Sequence, residues 1–328
     1  MYTYKDQVLF EGKNVFYRGN IHCHSTTSDG RLKAEEVARR YREAGYSFLC
    51  FTEHELFTGR RDLGTDGFLI IPAVEWSCSS GGKGGVPDQC HHINAIEGTA
   101  AMLKAAPMGC FQPGDIMPRV SFQGELSVRS MLDVIRGHGC IAIYNHPAWS
   151  RVRPRDYGLL DGFAGVEVHN YGCELEDFTG FNETYWDNLL SDGSRVCAVA
   201  TDDNHNARLP DDSFGGWIMV HAPALNQDAI IQAIMEGHFY ASTGPEILRY
   251  GVRGGVAFVE CSGVSQVNFV CGGKIGCGTT TWDLNGEDGV TCAEHRISGR
   301  ESYIRIRCQR KDGKVAWSQP LFPEAQAE

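Results

Sequence analysis

The segment Ile21-His22-Cys23-His24-Ser25-Thr26-Thr27-Ser28-Asp29-Gly30 crowds three metal-competent side chains into one turn at the end of a β-like run. If Val15 to His24 is a strand, its period of two puts His22 and His24 on one face. Two imidazoles pointing the same way from a strand end can chelate a divalent ion. Asp29 on the following turn can supply an oxygen to the same ion or to a neighbouring one. A His-x-His pair alone is commonly an unrelated surface or core pair. Here the same arrangement recurs along the chain.

The apolar run Phe48-Leu49-Cys50-Phe51 ends in Thr52-Glu53-His54, and Phe68 to Val74 ends in Glu75-Trp76-Ser77. Cys90-His91-His92-Ile93-Asn94 brings further histidines to a β-like segment. Cys140 to Tyr144 runs into Asn145-His146-Pro147, and Val196 to Thr201 into Asp202-Asp203-Asn204-His205. Most of these candidate ligands sit where an apolar strand stops. In a parallel barrel the C-terminal strand ends converge on one rim, which makes residues distant in sequence neighbours around a site.

Helical patterns fall between the strands. Leu32, Val37 and Tyr41 with Arg39, Arg40, Arg42 and Glu43 form an amphipathic pattern closed by Gly45, and Val128 to Gly139, Glu183 to Leu190 and Asp228 to Met235 read similarly. Alternating strand and helix predicts a βαβ architecture, with about seven such strands before residue 200 or so. The segment from Ala100 to Gln123 is long and rich in Pro and Gly, and is expected to border the mouth of the site. After Gly244-Pro245 short alternating runs take over, as in Ser302 to Cys308, where Ile304, Ile306 and Cys308 share one face and Tyr303, Arg305 and Arg307 the other. That is the pattern of a half-buried antiparallel strand in a small β-sandwich-like domain.

In order, His22-x-His24, Ser28-Asp29-Gly30, Thr52-Glu53-His54, Glu75, His92, Asn145-His146-Pro147 and Asp203-x-His205 resemble the PHP (polymerase and histidinol phosphatase) family of metal-dependent hydrolases. Phe214-Gly215-Gly216-Trp217, Gly237 to Pro245 and Ala316-Trp317-Ser318-Gln319-Pro320 resemble its two-domain branch, sometimes labelled after a carbamate-insecticide hydrolase. The resemblance implies a distorted seven-stranded (β/α) barrel over residues 1–245, a C-terminal β domain over 246–328, and two or three divalent ions (zinc, manganese or iron). Carried over by position, His22, His24, Glu75 and Asp203 would hold one ion, with Glu75 bridging to a second held by His92 and His146. A third would sit between Asp29, His54 and His205. His92 is preferred to His91 because Ile93-Asn94 follows it, and Glu53 stands where the family commonly has Asp.

Among 328 residues, 30 Lys and Arg against 41 Asp and Glu leave a formal net charge of −11, which opposes binding to duplex nucleic acid. A small phosphorylated substrate remains compatible, since bound divalent ions can reverse the sign of a site. Thirteen cysteines without a Cys-x-x-Cys pair, and an N-terminus without signal-peptide character, lead to the expectation of reduced thiols in a cytoplasm. No apolar stretch is long enough for a bilayer span.

The expected function is a phosphoesterase. Water bridging two ions ionises near neutral pH and attacks phosphorus, with Glu75, Asp203 and His205 at the catalytic centre and the general acid unassigned. Arg151, Arg153 and Arg155 alternate in a loop after His146 and are candidate phosphate contacts. The same constellation suits a carboxylic ester or carbamate, and a non-catalytic metal-stabilised scaffold is the reading of another class. Glu167 and His169 follow a strand-like Gly165-Val166 as candidates to orient ligands, and Asp202 either orients a histidine or caps a turn.

Overall fold

The computed structural model describes residues 1–82, 87–153, 162–206 and 210–324. It is a mixed α/β structure with three sheets among those residues. The six-stranded sheet runs, in spatial order, Cys197–Thr201, Gly165–Asn170, Cys140–Tyr144, Cys90–Glu97, Ala73–Ser79 and Val120–Ser121. Cys140–Tyr144 and Cys197–Thr201 are buried at every position, as continuous apolar runs covered on both faces should be. In the nine-stranded sheet, Val15–Asn20, Phe48–Leu49 and Leu69–Ile70 are parallel neighbours, and Trp217–Ala222 pairs antiparallel with the first of them.

The ligand-bearing strands therefore divide between two sheets. Their extensions nevertheless meet across the gap. Asp203 N donates to His22 O at 3.0 Å and His24 N to Asn204 O at 3.1 Å, while Glu75 N donates to Glu53 O at 3.2 Å and Glu55 N to Glu75 O at 2.9 Å. Cys90–Glu97 departs from the expected parallel order, since it is antiparallel to both neighbours. No helix among the described residues separates it from Ala73–Ser79, and a strand that returns without a crossover helix has to run the other way. That reversal is why His92, near the start of its strand, reaches the same rim as residues at the ends of the others.

The predicted helices form as Ala34–Glu43, Glu125–Gly137, Glu183–Ser191 and Gln227–Met235. Ala34–Glu43 buries Ala34, Val37, Ala38 and Tyr41, carries Glu35 and Glu36 in its first turn and Arg40 and Arg42 in its last, which suits the helix dipole. Ala100–Ala105 and Tyr171–Asp177 are short helices that the periodicity does not predict.

The 100–123 segment divides, and its first part lies away from the site. Met102, Ala105, Ala106 and Pro107 lie beside Cys140, Ala164 and Cys197, at the opposite ends of the strands. Farther along, Asp115 and Met117 make backbone bonds with Phe57 and Glu55, and none of residues 100–123 is among the described residues lining the site cavity. The apolar Phe111 and Met117 draw this stretch into the core, which a count of Pro and Gly does not show.

Beyond Gly244 the strands are Ile247–Arg253, Val256–Val264, Gln266–Gly273, Thr279–Trp282, Val290–Arg296, Glu301–Gln309 and Val315–Trp317. Val315–Trp317 pairs with Phe239–Ser242, so the nine-stranded sheet continues from the N-terminal strands into these. Glu301–Gln309 is more buried than its alternation predicts. The helix Glu183–Ser191 covers its polar face, where Arg305 Nε and Nη2 donate to Asp187 at 2.7 and 2.6 Å and Arg307 Nε to Glu183 at 2.9 Å. No helix among the described residues is long and apolar enough to cross a membrane, and every cysteine is a free thiol.

Candidate metal centre

Glu75 is the hub. Its Oε1 faces His22 Nε2 at 3.2 Å, His92 Nδ1 at 2.9 Å and His146 Nε2 at 3.4 Å, and its Oε2 faces His24 Nε2 at 3.4 Å and His54 Nδ1 at 3.0 Å. Asp203 Oδ1 lies 3.1 Å from His22 Nε2 and 3.2 Å from His24 Nε2. Nearer solvent, Asp29 meets His54 Nε2 and His205 Nε2, both at 3.4 Å. All nine predicted ligands thus come together. His22, His24, Glu75 and His146 are almost fully buried, while Asp29, His54 and His205 form the accessible side.

The arrangement fits divalent ions. Nε2 of His22, Nε2 of His24 and Nδ1 of His92 are buried and have no hydrogen-bond partner, although each lies 2.9–3.4 Å from a carboxylate oxygen. Ligand atoms about 2.0–2.2 Å from a shared ion sit roughly 2.9–3.5 Å apart, so such contacts without hydrogen-bond geometry are the edges of a coordination polyhedron. A buried polar atom aimed at nothing is costly, and an ion removes that cost. Burial opposes the charge on Glu75, yet His92, His22 and His54 around it hold its carboxyl well below the ordinary range.

Four overlapping groups have ligand atoms within 4.8 Å of one another: His24, Asp29, His54 and His205; His22, His24 and Asp203; His22, Glu75 and His146; and His54, Glu75 and His92. In these groups His92 falls with His54, His146 with His22, and His24 in two, while Glu75 Oε1 also faces both His92 and His146. Adjacent strand ends bring rings together in pairs, and His24 stacks on His205 with ring centroids 4.3 Å apart.

A layer of hydrogen bonds fixes the ligands. Glu167, fully buried, accepts from His22 Nδ1 at 2.7 Å, His146 N at 2.8 Å, Asn170 Nδ2 at 2.8 Å and Thr201 Oγ1 at 2.6 Å. A carboxylate only accepts, so the proton of His22 is on Nδ1 and its Nε2 lone pair faces the cluster. His169 lacks this role. The pairing register with Cys197–Thr201 shifts between Glu167 and His169, and the His169 ring packs against Phe181 and Trp317 instead. Glu53 accepts from Ser25 N at 3.2 Å, Ser28 N at 3.1 Å and Ser28 Oγ at 2.6 Å, and so holds the turn that carries Asp29.

Asn145 Nδ2 donates to Glu75 Oε1 at 2.8 Å, and His146 Nδ1 pairs with Ser150 Oγ at 3.0 Å. Asp202 caps a turn, accepting from the backbone of Phe214, Gly215 and Gly216 and from Tyr41 Oη. A Cβ at Gly215 would fall 2.1 Å from the Tyr171 ring, which explains the glycine there. Asp203 has φ +50° and His146 φ +23°, left-handed values that cost non-glycine residues energy and that cluster where side chains are aimed at a site.

His91 points away from its neighbour. Its Nδ1 meets Tyr144 Oη at 2.7 Å and its ring packs on Phe122, because consecutive strand residues face opposite sides. His138 pairs with Gly109 O, His221 packs on Phe16, His238 is exposed, and His295 stacks on Phe269, so none of these joins the cluster.

The centre floors a cavity of about 370 Å³ walled by Trp149, Cys173, Leu175, Glu176, Pro210 and Asp212. No Arg or Lys lines it among the described residues. Arg151 donates to Ala148 O at 3.0 Å and Asp177 at 3.1 Å and does not line the cavity, which corrects the expectation of a phosphate contact. Its φ of +58° turns the loop, and the acidic end of Tyr171–Asp177 captures it. Arg153 does not line the cavity either, and Arg155 lies outside the described residues.

No family model matches the chain, and no curated protein does. Similar solved structures include a two-domain protein with a PHP-like metal-dependent phosphoesterase from Bacteroides vulgatus, at 14% identity and TM-score 0.48 over 98% of this chain and 99% of that one. A candidate metal-dependent phosphoesterase from Bifidobacterium adolescentis is similar at 14% identity and TM-score 0.40, over 66% and 94% of the two chains. An amidohydrolase from Chromobacterium violaceum, with sulfate and no metal bound, is similar at 18% identity and TM-score 0.39, over 67% and 96%.

Proposed function

We propose that this protein is a metal-dependent hydrolase of small phosphoric esters. The observation that carries the reading is the convergence of unpartnered, buried imidazole nitrogens on Glu75 and Asp203 at the floor of an open cavity. His22, His24 and Asp203 would hold one ion, Glu75 would serve more than one, and Asp29, His54 and His205 would hold the ion nearest solvent. Bound there, divalent ions supply Lewis acidity toward an ester oxygen and ionise water near neutral pH.

The chain's own groups orient this chemistry. Glu167 fixes the His22 tautomer, and His205 Nδ1 lies 2.9 Å from the backbone oxygen of Asp203, which leaves Nε2 directed at Asp29 and the cavity. With an ion held on Nε2, His205 would have no proton there to give the leaving oxygen. With this reading go a distorted seven-stranded (β/α) barrel over residues 1–245, supported by the Asp203–His22 and Glu53–Glu75 backbone bonds between the two sheets, and a β domain over 246–328 as its cover.

One observation favours a second substrate class. Without Arg or Lys among the described lining residues, phosphoryl charge would be met by ions alone, whereas a carboxylic ester or carbamate brings no such charge. The test is a panel of phosphate monoesters, carboxylic esters and carbamates given to protein reconstituted with zinc, manganese or iron. Phosphate release that chelator abolishes is expected, and cleavage of carbonyl substrates alone would replace the first reading with the second.

A further inference from the structure

The cavity wall above the candidate ligands is divided chemically in a way the metal cluster does not require. Trp149 stands directly against the centre, its ring centroid 4.9 Å from that of His146 and 5.7 Å from that of His92. It is half-buried, and its Nε1 donates to Glu176 Oε2 at 3.1 Å, which fixes the plane of the indole. Cys173, Leu175 and Pro210 extend the apolar surface, while Glu176 and Asp212 place carboxylates in the same wall. A group bound at the ions therefore has an oriented aromatic face within reach.

We infer that Trp149 is a specificity-determining residue that stacks on an aromatic or flat apolar leaving group of the substrate. The inference rests on the hydrolase reading only for the group bound at the ions. Stacking on a preoriented indole costs little ordering, and aromatic contacts of this kind contribute roughly three- to tenfold in affinity.

The test is calorimetric titration of metal-reconstituted wild type, Trp149→Ala and Trp149→Phe with phenylphosphonate and methylphosphonate, and with phenylacetate and acetate as a carboxylate pair. Metal content is measured for each protein. Wild type is expected to prefer the phenyl member of a pair by about three- to tenfold; Trp149→Ala should lose the preference at unchanged metal content, and Trp149→Phe should keep most of it. Equal binding of phenyl and methyl ligands by wild type, or a preference that persists in Trp149→Ala, overturns the stacking assignment and leaves the phosphoester reading intact. A Trp149-dependent preference seen only with the carboxylates supports stacking and removes the phosphoester reading. Failure of all four ligands to bind overturns the inference.

Discussion

Replacing Glu167 with Gln removes one charge and no heavy-atom volume, yet it should disable His22 as a metal ligand, although Glu167 itself holds no ion. Four donors converge on this carboxylate: Thr201 Oγ1 and His22 Nδ1 on Oε1, and His146 N and Asn170 Nδ2 on Oε2. A Gln amide has one acceptor. The backbone N–H of His146 and the amide of Asn170 cannot turn, so the Gln oxygen must take the Oε2 position and its NH2 must face His22 and Thr201. The threonine hydroxyl can rotate and accept. His22 can accept only by moving its proton to Nε2, the nitrogen 3.2 Å from Glu75 and 3.1 Å from Asp203, which then has no lone pair for an ion. Loss of an orienting partner of this kind lowers metal affinity about 10- to 100-fold. If His22 keeps its tautomer, a buried donor pair goes unsatisfied at about 1–3 kcal/mol. Competitive metal titration against a chromophoric chelator, with the melting temperature of the metal-free protein as a control, reads both. Thr201→Val, which removes a donor and leaves the tautomer alone, should bind metal nearly as wild type does. Metal affinity of Glu167→Gln within twofold of wild type would refute the tautomer argument.

His92→Ala should lose metal occupancy and turnover, whereas His91→Phe should keep both, because the two histidines face opposite sides of one strand; equal losses in metal analysis would show that the register is wrong. Glu53→Ala should loosen the Ser25–Asp29 turn and weaken the ion nearest solvent by about tenfold or more while sparing the ions around Glu75, and sequential metal titration showing uniform loss would contradict that division. Arg151→Ala should leave the Michaelis constant for phosphate esters unchanged and alter stability by less than about 1 kcal/mol, since its partner Asp177 is a surface contact; a tenfold rise in that constant would restore a phosphate role.

The candidate site was legible in the sequence because its ligands lie where apolar runs end, and strand ends are what sheets gather. His22, His24, His54, His146, Asp203 and His205 follow this rule, whereas Glu75 ends an apolar run in the sequence but lies third in the strand Ala73–Ser79. His92 does not, since its strand is reversed, and only the following Ile93-Asn94 marked it out. The layer around the ligands was harder to read. Nothing in Gly165-Val166-Glu167-Val168-His169 says that a register shift separates the two polar residues and sends one to the centre and the other to Trp317. Arg151 misled because spacing cannot show that an acidic helix end is closer than the cavity. Ala100–Ala105 was hidden by the Pro and Gly that follow it, and the burial of Tyr303 and Arg305 depends on a helix more than 100 residues away in sequence.

Whether Glu75 joins ions held by histidines from separate strands is read by elemental analysis of protein purified without chelator, beside Glu75→Ala prepared identically and shown to be folded. Roughly two to three divalent ions per chain are expected in the wild type and at most about one in the variant, since a shared carboxylate serves more than one ion. Less than one ion per chain in wild type after incubation with excess zinc, manganese and iron, or equal content in the two proteins, would contradict a joining role for Glu75.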